Sequence, residues 1–555
     1  MVERVEHTAP AAWDAEYDVV VAGTGAAGLT AALVSARAGL SVLVLEKTEL
    51  VGGTSAVSGG TLWIGANHHM PEAGVDDSVE ETRAYLDAVS RGLGDPALLD
   101  MVAEHGHRMI AFLEREEGLR FEPFPSVGPT LDYRFTAPGA KHGGRSLTPE
   151  PFELSRLGAW AGSLRQGTTA AWVTDKKAFY RNRAYLKRPE AGSALRPLAD
   201  GVVGAGAALV GALLACCLEA RADVRVNSGL EALVVVSGAV TGVRAASVGR
   251  VRARRGVVLA TGGFEWNEEL KRKHLDRPLT HPVSAPVADG DGLLAGQAAG
   301  ADVRGLADAW WTPAIDLGGH ESPRGGGTKH IMCRVERGLP HAIIVNAHGR
   351  RFANEALNYY DLPETFGTHS NGAPNLPAWL VLDQCFRDTY PLVGTASDGL
   401  AEPDPSWLVQ AASLEELAEA IGVPADALGE TVTRFNHFAT TGVDEDFGRG
   451  STSWDREWGD PGHGPNPSLG TLEKPPFYAV RLHPGALGTK GGLHVDTTAR
   501  VLSAATGAPV PGLYAVGNVA AAAVPWGYAG PGATLGPALT AAYLAAHHLA
   551  GRTPA

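Results

Sequence analysis

"YDVVVAGTGAAG" occupies Tyr17–Gly28, and the fold follows from how it is read. YDVVVAG is apolar and β-branched, the composition of a buried strand. It runs into G-x-G-x-x-G over Gly23–Gly28. A helical pattern follows over Leu29–Ala38, then a second apolar strand, SVLVL, over Ser41–Leu45. Strand, glycine turn, helix and strand make a βαβ unit. Gly23 allows the tight turn, Gly25 lets backbone approach a pyrophosphate, and Gly28 lets the helix lie close to the strand. The helix N-terminus offers N–H donors and the positive end of its dipole to phosphate. Glu46 ends the second strand, placed to accept ribose hydroxyls, and an acidic residue there argues against a 2′-phosphate. A dinucleotide is expected. The glycine motif alone does not separate FAD from NAD.

Three more glycine-rich segments lie outward from this unit: GGTSAVSGGTLWI at Gly52–Ile64, ATGGF at Ala260–Phe264 and LYAVGN at Leu513–Asn518. Backbone returning to one place from distant sequence suits one long ligand held extended. Further strands are predicted at Val224–Val226, Leu230–Val236, Val243–Ala246 and Val257–Ala260, with a last helix over Leu535–Ala550. The middle, from about Glu265 to Leu482, mixes helix and loop signals and shows no repeat. Asp444–Pro465, acidic and glycine-rich, reads as a surface loop or linker. Gly201–Leu218 is 18 residues without a charge, holds four glycines and is bounded by Asp200 and Glu219. It reads as a small-residue helix packed inside the protein rather than as a membrane span.

Composition excludes several classes. The 555-residue chain has 47 Lys plus Arg against 61 Asp plus Glu, a net charge of −14. Without a long basic run, nucleic acid is not an expected partner. The four cysteines, Cys216, Cys217, Cys333 and Cys385, show neither disulfide-framework nor zinc-site spacing. The polar N-terminus lacks the apolar core of a signal peptide, so a cytoplasmic location is expected.

With these motifs assembled, the chain resembles the flavoproteins that include fumarate reductases and 3-ketosteroid dehydrogenases. The resemblance runs from about Tyr17 to Gly551. It rests on the GxGxxG strand, GGTSAVSGG, ATGGFEWN and LYAVGN. It implies an α/β fold: a discontinuous Rossmann-like FAD-binding domain, residues 1–275 and 483–555, with an α+β catalytic domain, 276–482, inserted. It implies that FAD is held by Gly23, Gly25, Ala26, Ala27 and Gly28; by Glu46 and Lys47; and by Gly53, Thr54, Ser55, Ser58, Gly59 and Gly60. Ala260, Thr261, Gly262, Gly517, Asn518, Ala533 and Leu535 complete the set. No histidine stands beside Thr54 and Ser55, so the FAD is expected to be non-covalent.

Two segments separate the branches. Fumarate reductases carry an arginine five residues past the asparagine of G-x-R-F-x-N-E; in GRRFANEALNYYD, Gly349–Asp361, that position is Tyr359. Their C-terminal glycine loop also carries an arginine, and WGYAGPGATLGPAL, Trp526–Leu539, has none. The ketosteroid branch fits better. LDYRFTAPGAKHGGRSL, Leu131–Leu147, is similar to its Asp-Tyr segment and supplies Tyr133. NEALNYYD supplies Tyr359, and GYAGPGATLG supplies Tyr528 and Gly532. AWWTP at Ala309–Pro313, GTKGGLHVD at Gly488–Asp496 and SGGTLWIGANHHM at Ser58–Met70 add support. Ala529 stands where the family has proline, which frees φ there.

The resemblance implies an FAD-dependent 3-ketosteroid dehydrogenase that introduces the 1,2 double bond of ring A. Tyr359 takes the α-proton with Tyr133 as its support, and the β-hydride goes to flavin N5. Tyr528 O–H and Gly532 N–H stabilise the ketone oxygen as charge builds; one such preset donor is worth about 2.7–4 kcal/mol. Desaturation of the 4,5 bond, or of a simpler cyclic ketone, would use the same parts. A fumarate-reductase-like reductase is the rival. The expected partners are a neutral hydrophobic cyclic ketone and a quinone-type electron acceptor, which would bring the protein to a membrane surface without a span. No metal is expected. Several neighbours compete for these roles or lack one. Tyr360 rivals Tyr359, and Asp132 or Arg134 is a surface feature beside Tyr133. Trp310 and Trp311 wall the substrate or pack the core. Arg350 and Arg351 are structural or flavin-side. His483 and His494 lie near the flavin by resemblance, without a catalytic role.

Overall fold

The computed structural model describes residues 4–8, 10–124, 132–166, 186, 201–318, 330–370, 373–393 and 406–553. Leu131, the first residue of the Tyr133 segment, lies outside them.

The βαβ unit forms as Ala15–Ala22, Ala26–Arg37 and Val42–Leu45. The two strands pair in parallel, Val19 opposite Val42 through Ala22 opposite Leu45. Both are apolar at successive positions because both faces are covered. Val19, Val21, Val42 and Val44 face the core beneath the helices Ala26–Arg37, Ala205–Glu219 and Leu535–Leu549. Val20, Ala22, Leu43 and Leu45 face a second core on the other side. These strands sit inside a nine-stranded sheet, between Gly249–Leu259 and Asp223–Arg225. The end of Gly249–Leu259 also pairs in parallel with Pro509–Ala515, from the far end of the chain. Four parallel strands from three distant stretches of sequence therefore end side by side.

The uncharged stretch at 201–218 contributes a short strand, Val202–Val203, and the 15-residue helix Ala205–Glu219, which is buried at nearly every position. Among the described residues, no helix is long and apolar enough to cross a membrane.

The middle of the chain holds a six-stranded antiparallel sheet for which the sequence showed little signal. Its long strand, Phe477–Thr489, pairs with Ala378–Leu382 through its first half and with Ala309–Asp316 through its second. The expected boundary between residues 482 and 483 falls inside this strand. Most of the other strands are short, and Ala309–Asp316 carries a proline and two tryptophans, so neither alternation nor length marked them. Asp444–Pro465, expected as a surface loop, is anchored inward instead. Asp444, Arg449, Trp454 and Asp455 are buried, and Asp444 meets Arg351 at 2.9 Å. Its charges are pairing partners for a buried arginine, which composition does not distinguish from solvated ones.

Candidate active site

A cavity of about 420 Å³ opens where the four parallel strands end, the crevice in which open α/β sheets bind ligands. Its floor is backbone. Gly23 and Gly25 follow the first strand, Glu46 and Lys47 the second, Ala260–Gly263 the third, and Val516–Asn518 the fourth. Gly23 has φ +112°, and a Cβ there would stand 2.3 Å from the Ala260 carbonyl oxygen, so only glycine lets these two strand ends meet. The helix Ala26–Arg37 has glycine, Gly25, as its N-cap residue, and Ala27 and Gly28 of its first turn line the cavity. Glu46 is held by Thr24 Oγ1 and by the Thr48 N–H at 2.9 Å, which aims its carboxylate. Lys47 is turned to Asp289 and Asp291, at 2.8 and 3.0 Å. A helix start, a glycine floor and an anchored carboxylate in one crevice fit the dinucleotide that the sequence predicts.

Of the expected cofactor residues, Gly53, Thr54, Ser55, Ser58, Gly59, Gly60, Thr261, Gly262 and Leu535 also line this cavity. Ala26 and Ala533 do not. The Ala26 N–H donates to Ser55 Oγ at 3.0 Å, and the Ala533 N–H to the Gly530 carbonyl at 3.0 Å. Both are spent inside the protein.

The other end of the cavity collects the tyrosines. Tyr133, Tyr359 and Tyr528 all line it, with ring centroids 5.5 to 5.7 Å apart in every pair. The hydroxyls of Tyr133 and Tyr528 both interact with that of Tyr359. Tyr360 does not reach the cavity: it donates to Asp308 at 2.8 Å, receives Lys490 Nζ at 3.0 Å, and stacks beneath Tyr528 at 5.8 Å. Lys490 Nζ also donates to the Gly527 carbonyl at 2.5 Å, which fixes the loop that presents Tyr528. Burial, the leading cause in each case, raises all three cavity tyrosines above the usual phenol range. The fields of Arg334 and Arg337 pull Tyr133 back.

The glycine loop is tightly held. The Ala529 carbonyl accepts the Tyr85 hydroxyl at 2.6 Å and the Tyr133 N–H at 3.0 Å, so alanine serves where the family has proline. Gly532 has φ +95°, and a Cβ there would stand 2.6 Å from the Trp63 nitrogen. The Gly532 N–H faces the Tyr528 hydroxyl oxygen, and Thr534 Oγ1 lies 3.3 Å from that hydroxyl. Tyr528 and Gly532 both line the cavity, so two donor groups stand side by side on its wall, where an incipient oxyanion would need them.

Several neighbours stand elsewhere than expected. Asp132 is buried rather than on the surface. It binds Trp63 Nε1 at 2.9 Å and Arg145 at 2.8 Å, and burial lifts its pKa to about 6. Trp310 and Trp311 are core residues, absent from the cavity wall. Arg351 is bound by Glu355 and Asp444, and Arg350 by Glu430 at the surface. His483 stacks on His281 at 3.7 Å and His494 bonds Asp302 at 3.0 Å; neither lines the cavity.

Other wall residues were not found from sequence. Trp454 packs edge-on against Tyr133 at 5.0 Å and donates to the Ala356 carbonyl at 2.9 Å. Glu265, one residue past the ATGGF turn, is buried with its pKa raised to about 7 by desolvation. Arg334 and Arg337 enter from a segment, Cys333–Gly338, that carries no motif.

Comparison with known proteins places the chain among FAD-binding flavoproteins. The family model described as FAD binding domain matches residues 18–535. The chain is 44% identical to the 4-oxocyclohexanecarboxylate 2-dehydrogenase of Sinomonas cyclohexanicum, over 97% of this chain and 93% of the relative. It is 40% identical to the 3-oxosteroid 1-dehydrogenase of Mycobacterium tuberculosis strain H37Rv, over 96% and 98%. The 3-ketosteroid delta1-dehydrogenase of Sterolibacterium denitrificans, solved with 1,4-androstadiene-3,17-dione, superimposes with a TM-score of 0.85 at 34% identity. That match covers 97% of this chain and 99% of the other.

Proposed function

The chain belongs to the FAD binding domain family, and from that premise we propose that it binds FAD non-covalently and desaturates a cyclic ketone beside its carbonyl, as a dehydrogenase of the 3-oxosteroid 1-dehydrogenase type. The observation that carries the reading is the placing of Tyr528 O–H and Gly532 N–H together on the cavity wall, with Tyr359 beside them.

The floor residues from Gly23 to Gly28, Glu46, and the Gly53–Gly60 and Ala260–Gly262 turns would hold the cofactor. FAD, when bound, supplies the acceptor for the hydride that leaves the β-carbon. The protein's own part is proton chemistry and orientation. Tyr528 and Gly532 donate to the ketone oxygen, which acidifies the α-carbon. Tyr359, beside them, receives the α-proton, and Tyr133 holds its hydroxyl in place. Trp454 closes the wall behind Tyr133 and keeps water from that side.

The leading substrate is a 3-ketosteroid, oxidised across the 1,2 bond of ring A. A single-ring ketone is the second reading, favoured by the 44% identity to the oxocyclohexanecarboxylate enzyme. A quinone-type acceptor, met at a membrane surface from the cytoplasmic side, would reoxidise the flavin. The test is anaerobic: several saturated cyclic 3- and 4-ketones are mixed with the oxidised holoenzyme while flavin absorbance is followed. Bleaching is expected. Its absence with every ketone, combined with rapid reoxidation of the reduced enzyme by fumarate, would overturn the reading.

A further inference from the structure

The inserted-domain wall of the cavity carries a cation that the protein leaves unmatched. Arg337 lines the cavity with 4% of its surface exposed. Its Nη1 donates to the main-chain carbonyl of Glu355, and its Nε has no hydrogen-bond partner. The carboxylates nearby are taken. Glu355 is shared by Arg351 at 2.8 Å and Arg449 at 3.2 Å, and Asp444 pairs with Arg351 at 2.9 Å. Three guanidinium groups thus meet two carboxylates. Arg334 lines the same wall, half-buried. The one acid between them, Glu336, accepts the Arg334 main-chain N–H at 2.8 Å, and burial holds its pKa above the usual range. Among the described residues no carboxylate, Glu336 included, forms an ion pair with the Arg337 guanidinium, whose Nε stays unpartnered. A desolvated guanidinium without an anion is costly, and a ligand carboxylate supplies what is missing.

The place matters as much as the charge. Tyr133 lies between the two polar ends. Its ring is 5.5 Å from that of Tyr528, and its hydroxyl feels both Arg334 and Arg337. A ring whose ketone oxygen meets Tyr528 and Gly532 would extend its far side toward the arginines.

We propose that Arg337, with Arg334 beside it, is a carboxylate-binding subsite, which turns the choice between the two substrate readings toward the single-ring one: a cyclic ketone bearing an anionic carboxylate across the ring from its carbonyl. This rests on the reading of the tyrosine end as a ketone site, and it names the substrate class. The expectation of a neutral substrate came from two positions where the family's arginines are absent; the positive charge enters from a third.

Binding and turnover are to be measured separately on the holoenzyme. Cyclohexanecarboxylate and its methyl ester, which cannot be desaturated at a ketone, are titrated by calorimetry. 4-Oxocyclohexanecarboxylate and its methyl ester are compared as substrates. The free acids are expected to bind about thirty-fold or more tightly than the esters. Arg337→Gln should erase that preference by raising KM for the acid while leaving KM for the ester within about three-fold. Arg337→Lys should keep part of it. Equal affinity of wild-type protein for acid and ester overturns the subsite by itself, even where Arg337→Gln yields no folded protein. Equal losses for acid and ester in Arg337→Gln also overturn it. Tight binding of the acid without turnover of any ketone leaves the subsite standing and refutes the dehydrogenase reading instead.

Discussion

Tyr133 and Tyr359, far apart in sequence, meet edge to face with ring centroids 5.5 Å apart at 90°. The contact places one hydroxyl against the other and leaves Tyr359 facing the cavity. Removing the Tyr359 oxygen should therefore stop α-proton removal without emptying the site. Tyr359→Phe is expected to lower kcat by about 10²–10⁴-fold and to abolish exchange of the ketone's α-hydrogen with deuterated solvent. Tyr133→Phe should be milder, since it acts through Tyr359. Exchange that persists at the wild-type rate in Tyr359→Phe would move the base elsewhere.

Burial raises Tyr359 well above the ordinary phenol value, and the sign of that shift fixes a pH dependence. Below its pKa, the ionised fraction of a base grows tenfold with each pH unit. Log kcat/KM should then climb with a slope near one from pH 7 to pH 9, without levelling in that window. A flat profile over those two units would mean that the proton goes to a group ionised at neutral pH.

Tyr528 is fully enclosed: Tyr360 stacks beneath it, Trp310 meets it edge-on at 5.2 Å, and Lys490 pins its loop. Tyr528→Phe keeps that packing and deletes one of two adjacent donors. Turnover should fall by about 10²–10³-fold, with flavin content unchanged by absorbance. Near-normal turnover would take Tyr528 out of the oxyanion role.

The nucleotide half of this site was legible because its chemistry is local. Each contact comes from a short glycine turn at a strand end, and Gly23, Gly60, Gly262 and Gly517 all sit where such turns predict. The tyrosines were legible through motifs that resemble a family, but Tyr360 stayed a rival of Tyr359 until the fold turned it to Asp308 and Lys490 and left Tyr359 on the cavity wall. Arg337 and Trp454 were not. Each reaches the cavity through pairing decided elsewhere: Arg337 is left over when Glu355 is consumed by Arg351 and Arg449, and Trp454 sits on a short helix, Ser453–Glu457, in a segment anchored inward by Asp444. Such arithmetic of buried charges exists only once the fold is closed.

Glu265 gives a prediction on stability. It is 1% exposed, its Oε2 lacks a hydrogen-bond partner, and desolvation raises its pKa from 4.5 to about 7. Between those values the folded protein holds a proton that the unfolded chain has released, so stability falls as pH rises through the window. Above pH 7 the full deficit, about 3 kcal/mol, is present. Glu265→Gln keeps the shape and cannot ionise. Urea denaturation at pH 5 and pH 8 should show the variant gaining about 2.5 kcal/mol on the wild type between the two, every other titrating group being common to both. Parallel stability curves would mean that the Glu265 carboxylate is ionised and matched in the folded state.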